Sequence, residues 1–133
     1  MNRRELRKKV FQCLFELEFR PEAIEEIEGK LDSEFLTSQE REFASNLIKG
    51  VWSKREILDE IISSHLKGWK LDRISPVEKS ILRLGVYEIY FYKDTPSKVA
   101  INEAVELSKL FGKDSSPGFI NGVLGAVLRE DGK

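Results

Sequence analysis

The sequence predicts an all-α protein, a compact bundle of six or seven helices in two halves, and three observations predict it. Apolar residues recur at steps of three and four through almost the whole chain, which places them on one face of a helix. Start and stop signals punctuate these runs, with Thr-Ser and Ser-Pro before them and Gly after them. No Asn-Gly or Asp-Gly turn sits between alternating residues, so no β-hairpin is expected. One domain spanning 1–133 is expected, with an N-terminal half of about 1–67 and a C-terminal half of about 68–131. The halves part near Gly68–Ile74.

The first helix is predicted from Leu6, Val10, Cys13, Leu14 and Leu17, which share one face. Pro21 suits the first turn of a second helix, PEAIEEIEGKLD, whose glutamates favour a positive helix N-terminus. Thr37 or Ser38 then caps a long helix carried by Phe43, Ala44, Leu47, Ile48, Val51, Leu58, Ile61, Ile62 and Leu66, ending toward Gly68. Gly50 weakens it locally. Ser75-Pro76-Val77-Glu78 is the strongest start signal: a capping serine, a proline at the first helical position and a glutamate at the third. That helix is expected to run to about Tyr92, with Asp94-Thr95-Pro96 turning the chain. SKVAINEAVELSKLFG forms the next helix, stopped by Gly112. Ser116-Pro117 opens the last, with Ile120, Val123, Leu124, Val127 and Leu128 as its apolar stripe.

At 133 residues the chain holds one ordinary domain with its own core. No apolar run approaches the ~20 residues of a membrane helix, and the head lacks the apolar stretch of a secretory signal. A single cysteine forms no internal disulfide, which fits a reducing cytoplasm. Catalytic chemistry finds little to work with. The one histidine, His65, follows Ile61 by a helical turn and reads as a hydrogen-bonded structural residue. Cys13 reads as a small buried hydrophobe. No metal-ligand spacing, Walker loop or Gly-x-Gly-x-x-Gly turn is present. A binding protein without catalytic activity, cofactor or metal is expected.

Charge is informative by segment. The total is close to neutral, 22 Lys and Arg against 23 Asp and Glu. Residues 1–20 nevertheless carry six basic and three acidic side chains, and residues 21–42 carry two basic and eight acidic ones. On a helical wheel Arg3, Arg4, Arg7 and Lys8 gather on one side, and Phe11 and Phe15 continue it. Cations for phosphate beside rings that stack an unpaired base suit single-stranded nucleic acid. The bland reading is a solvated basic face with both rings in the core. Basic residues in the first turn oppose the helix dipole, a conflict expected where function overrides stability. A second candidate surface is KLFGKDSSPGFINGV, where Lys109 and Lys113 flank the start of the last helix and Phe119 sits at the margin of its stripe. There a helix N-terminus holds phosphate while Phe119 stacks a base, or Phe119 packs between helices with Asn121 as a structural polar residue.

Several stretches resemble the NusB family of bacterial transcription antitermination factors. They are WKLDRISPVEKSILRLGVYEIYF, PSKVAINEAVELSKLFG and SSPGFINGVL, behind an Arg-rich head that ends in Gln-x-x-Leu-aromatic (Gln12 to Phe15). The resemblance spans nearly the whole chain in order. It implies an all-helical fold of two packed helical subdomains, and binding of single-stranded boxA RNA of ribosomal RNA operons together with the ribosomal small-subunit protein NusE, in an antitermination complex of RNA polymerase with other Nus factors. It implies RNA contacts at Arg3, Arg4, Arg7 and Phe119, with Asn121 close by, and partner contact at Glu78. Lys8, Phe15 and Lys113 join the expected RNA set. Three departures stand out: Gly118 where the family often has Lys, Phe15 for a usual Tyr, and Lys8 for an expected acid. Two alternatives are the NusB-like RNA-binding domain of a ribosomal RNA methyltransferase and a helical adaptor that ignores RNA. The 133 residues given are too few for an added methyl-donor fold, which argues against the first unless the chain is a fragment, and the adaptor would act through the acidic 21–42 segment. A cytoplasmic location and no membrane association are expected. Tyr90 and Tyr92 are expected to be exposed, which leaves dimerisation open.

Overall fold

A computed structural model describes residues 1–131. Gly132 and Lys133, inside the expected domain span, lie outside the described residues. Among the described residues there are seven α-helices and no strand: α1 (Arg3–Phe19), α2 (Ile24–Gly29), α3 (Ser38–Ser53), α4 (Arg55–Ser63), α5 (Pro76–Tyr90), α6 (Ser97–Phe111) and α7 (Ser116–Asp131).

The centre is α5. Every side chain from Ser80 to Ile89 is buried, as expected of a helix surrounded by others. It packs against α1, α3, α4, α6 and α7, and one apolar cluster joins residues from both halves of the chain. The start signals hold. Ser75 accepts the Glu78 amide at 3.1 Å with Pro76 behind it, and Thr37 rather than Ser38 forms a full capping box with Glu40. Asn2 caps α1 by accepting the Glu5 amide at 2.8 Å.

Two expected helices come out differently. The long helix divides into α3 and α4 at Lys54, which leaves helical geometry (φ −106°, ψ 13°) while the Arg55 guanidinium bonds the Trp52 carbonyl. Val51 and Leu58 are both buried seven residues apart, so the apolar register runs unbroken across the interruption and periodicity does not reveal it. The segment 21–33 holds only the six residues of α2 as α-helix, between 3₁₀ turns at Pro21–Ala23 and Lys30–Ser33. Only Ile27 and Leu31 bury apolar side chains there, too few to hold a longer helix against the cost of nucleation. Gly50, by contrast, has a packing reason: a Cβ there would overlap the Tyr87 hydroxyl.

One buried and one partly buried ionic cluster fix how α1 sits on α5, and so which side of the basic head faces outward. Arg7 binds Glu88 through Nε and Nη2 at 2.7–3.2 Å, with Thr95 completing the group. Arg83 of α5 binds Asp59 of α4 at 2.7 and 2.8 Å and also Glu18 of α1. Tyr90 and Tyr92 are half-buried rather than exposed, and Tyr92 meets Phe43 edge-on; Phe91 is the exposed aromatic of that turn.

Candidate nucleic-acid interface

The cations of α1 fall into three settings. Arg7 is buried, and its guanidinium is taken up by Glu88 and Thr95, so the expectation that it joins a solvent-facing basic side is corrected. The helical wheel gave its direction but not its partner, which lies 81 residues away. Arg3 lies over Phe43, its guanidinium carbon 3.8 Å from the ring centroid. Arg4 and Lys8 face outward beside α6, where Glu103, Glu106, Lys109 and Leu110 complete an open cavity of about 220 Å³.

Nearly every head cation meets a carboxylate. Arg4 pairs with Glu103, Lys8 with Glu5, Lys9 with Glu34, and the terminal amino group with Glu40. The hydrogen bond and charge of Glu103 raise the Arg4 pKa above its ordinary value. A bond from Lys109 lowers that of Glu106. The acidic 21–42 segment is likewise engaged internally: Arg41 binds Glu28 and Asp32, and Arg20 binds Glu26. These pairs offset part of the acidic charge on which the adaptor reading rests.

The aromatics sort themselves too. Phe111, Phe11, Phe15 and Phe19 make a row, with centroids 4.7, 6.0 and 5.2 Å apart in succession. Phe11 is buried in it, which withdraws it as a stacking surface, whereas Phe15 is half-buried and Phe19 is exposed.

The second patch is a cleft of about 300 Å³ lined by Trp69, Arg73, Ser75, Glu78, Lys113 and Phe119. Ser116 organises its floor. Its hydroxyl donates to Glu78 at 2.6 Å and accepts the Lys113 amide at 3.1 Å, tying the starts of α5 and α7 together. Glu78 is itself buried, and its carboxylate also receives the Ser75 hydroxyl at 3.3 Å. It is therefore not the reciprocal half of a capping box, which would require it to accept the Ser75 amide. Phe119 is half-buried, and Asn121 is exposed. Gly118 faces open space, so the place where the resembled family often carries Lys is accessible to a side chain.

Trp69 and Arg73 escaped the sequence reading. Trp69 is 60% exposed, directly after Gly68, whose φ of +76° favours glycine. An isolated Trp in a loop bounded by Gly was the available signal. The two patches are joined through α6: Lys109 lines the first, and Lys113, just beyond the end of the helix, lines the second. Elsewhere, His65 lies between the Ile61 carbonyl and Glu130, as a structural histidine would. Among the described residues no helix is long and apolar enough to cross a membrane.

A profile of the NusB family matches residues 4–129. The transcription antitermination protein NusB of Oceanobacillus iheyensis is 42% identical over 130 residues, covering 96% of this chain and 99% of that protein. Among solved structures, NusB of T. maritima superposes with a TM-score of 0.87 at 37% identity, covering 98% of this chain and 92% of the other. A structure of antitermination factors NusB and NusE in complex with double-stranded RNA gives 0.82 at 28% identity, covering 96% of each chain.

Proposed function

Because the chain belongs to the NusB family, we propose that it is a transcription antitermination factor that binds boxA RNA of ribosomal RNA operons with NusE, within an antitermination complex of RNA polymerase and other Nus factors. It carries out no reaction of its own and acts in the cytoplasm. The observation that carries the reading is the cationic and aromatic edge running from Arg4 and Lys8, past Lys109, to Lys113 and Phe119. Phosphates take the outward cations, and the half-buried rings offer faces for unpaired bases.

Residue assignments follow from exposure. Arg4, Lys8 and Lys113 serve phosphates; Phe119 and Trp69 serve bases; Phe15 and Asn121 lie at the margins. Arg3, held on Phe43, contributes charge, and Arg7 acts by fixing α1 rather than by touching RNA. Glu78, buried and bonded by the Ser75 and Ser116 hydroxyls, shapes the cleft floor, and we assign it to NusE binding through the surface that it supports rather than by direct exposure. We assign both halves to one domain, since they share a core.

The test is an anisotropy titration of labelled single-stranded boxA RNA, with and without NusE, against the same sequence as a duplex. Tighter binding of the single strand, strengthened by NusE, supports the reading. Undetectable binding in every arm contradicts it.

A further inference from the structure

The Arg4 guanidinium is held side-on. Its Nε–H donates to Glu103 Oε1 at 3.1 Å and its Nη2–H to Oε2 at 2.8 Å. A guanidinium carries five N–H groups in a fixed fork, so this pairing uses two and leaves both hydrogens of Nη1 and one of Nη2. One hydrogen of Nη1 and the remaining one of Nη2 lie parallel and form the end-on edge, the other edge of the planar group that binds a phosphate bidentately, while the second Nη1 hydrogen points back along the Cδ side. Glu106 stands 4.0 Å from Nη1, beyond hydrogen-bond distance, and its carboxylate is bonded to Lys109 at 2.9 Å. The end-on edge therefore makes no hydrogen bond, with Glu106 beside it at ion-pair distance. Exposure agrees: the Glu103 side chain is 13% exposed against 55% for Arg4, so an anchored acid holds a cation whose outer edge lies in solvent.

We propose that Glu103 is a positioning residue of the RNA site, holding Arg4 in the orientation in which its free edge receives a phosphate. The inference rests on the RNA reading above. An unrestrained arginine must give up several rotatable bonds when it orders on a ligand, whereas this one is ordered beforehand. The opposite effect is also physical, because a carboxylate beside a phosphate repels it. The two make opposite predictions for the same substitution.

The experiment measures the affinity of labelled boxA RNA for the full chain and for Glu103→Gln, Arg4→Ala and the double variant, with thermal unfolding followed by circular dichroism. Glu103→Gln removes an acid yet is expected to weaken RNA binding roughly three- to tenfold. In the Arg4→Ala background the same change is expected to have no further effect, since the acid acts only through that arginine. A general structural role would persist in that background. RNA binding by Glu103→Gln as tight as wild type or tighter overturns the proposal, as does a loss that persists undiminished without Arg4. If Arg4→Ala alone leaves RNA affinity unchanged, the assignment of Arg4 to RNA fails first and the positioning role with it.

Discussion

Arg7 and Glu88 carry opposite charges inside the bundle, and removing either leaves the other buried without its counter-charge. Such truncations typically cost 3–5 kcal/mol, so Arg7→Ala is expected to lower stability by about 4 kcal/mol in urea unfolding. Arg4→Ala, at an exposed pair, should leave the unfolding midpoint nearly unchanged while weakening RNA binding. Two arginines three positions apart on one helix thus separate stability from binding. Angle around α1 was legible in the sequence; whether a buried carboxylate waited at that angle was not, because Glu88 comes from α5. Cys13 makes a second residue-scale prediction. Burial pushes its thiol up to about 11, so little thiolate forms near neutral pH. Iodoacetamide should label the native protein far more slowly than the urea-unfolded chain; equal rates would contradict the buried placement.

Among the elements, the stretch from α2 to the start of α3 is held by charge as much as by apolar contact. Arg41 holds the Glu28 carboxyl below the usual carboxylate range through a hydrogen bond, and Lys30 does the same for Glu16 of α1. A carboxyl with a depressed folded-state pKa binds fewer protons folded than unfolded. Its contribution is present above the ordinary value of 4.5 and is lost as pH falls through the lower folded value. Urea midpoints should therefore decline as pH drops below about 4.5, and Arg41→Ala should flatten that decline. At the start of α7, Gly118→Lys meets no neighbour. It should add a cation to the cleft rim, steepening the salt dependence of RNA binding by about 0.7 on a log–log scale. Capped helices such as α5 were readable because their signals are local: Ser75-Pro76 needs no distant partner. The break at Lys54 and the short α2 were not, since one depends on a side chain reaching a carbonyl and the other on how little of the segment finds the core.

Over the whole molecule, the near-neutral total conceals a surface in which cations and acids are paired at close range rather than segregated. Glu34 and Glu40, from the acid-rich stretch, reach Lys9 and the terminal amino group, and α6 supplies the acid for Arg4. On the proposed interface RNA would meet cations already oriented by carboxylates, and the excess of bases in residues 1–20 would count for less than their geometry. The cleft between α5 and α7 completes the edge with Trp69 facing the same space as Phe119, which no local pattern announced. The central claim is that this edge binds single-stranded RNA through phosphates and stacked bases. Its most direct test is the salt dependence of boxA RNA affinity for the wild-type chain, Arg4→Ala and Phe119→Ala. The account predicts a log–log slope of about −0.7 per phosphate neutralised, made shallower by Arg4→Ala, and left nearly unchanged by Phe119→Ala although binding weakens. RNA binding that ignores salt, or that both variants leave intact, would contradict it.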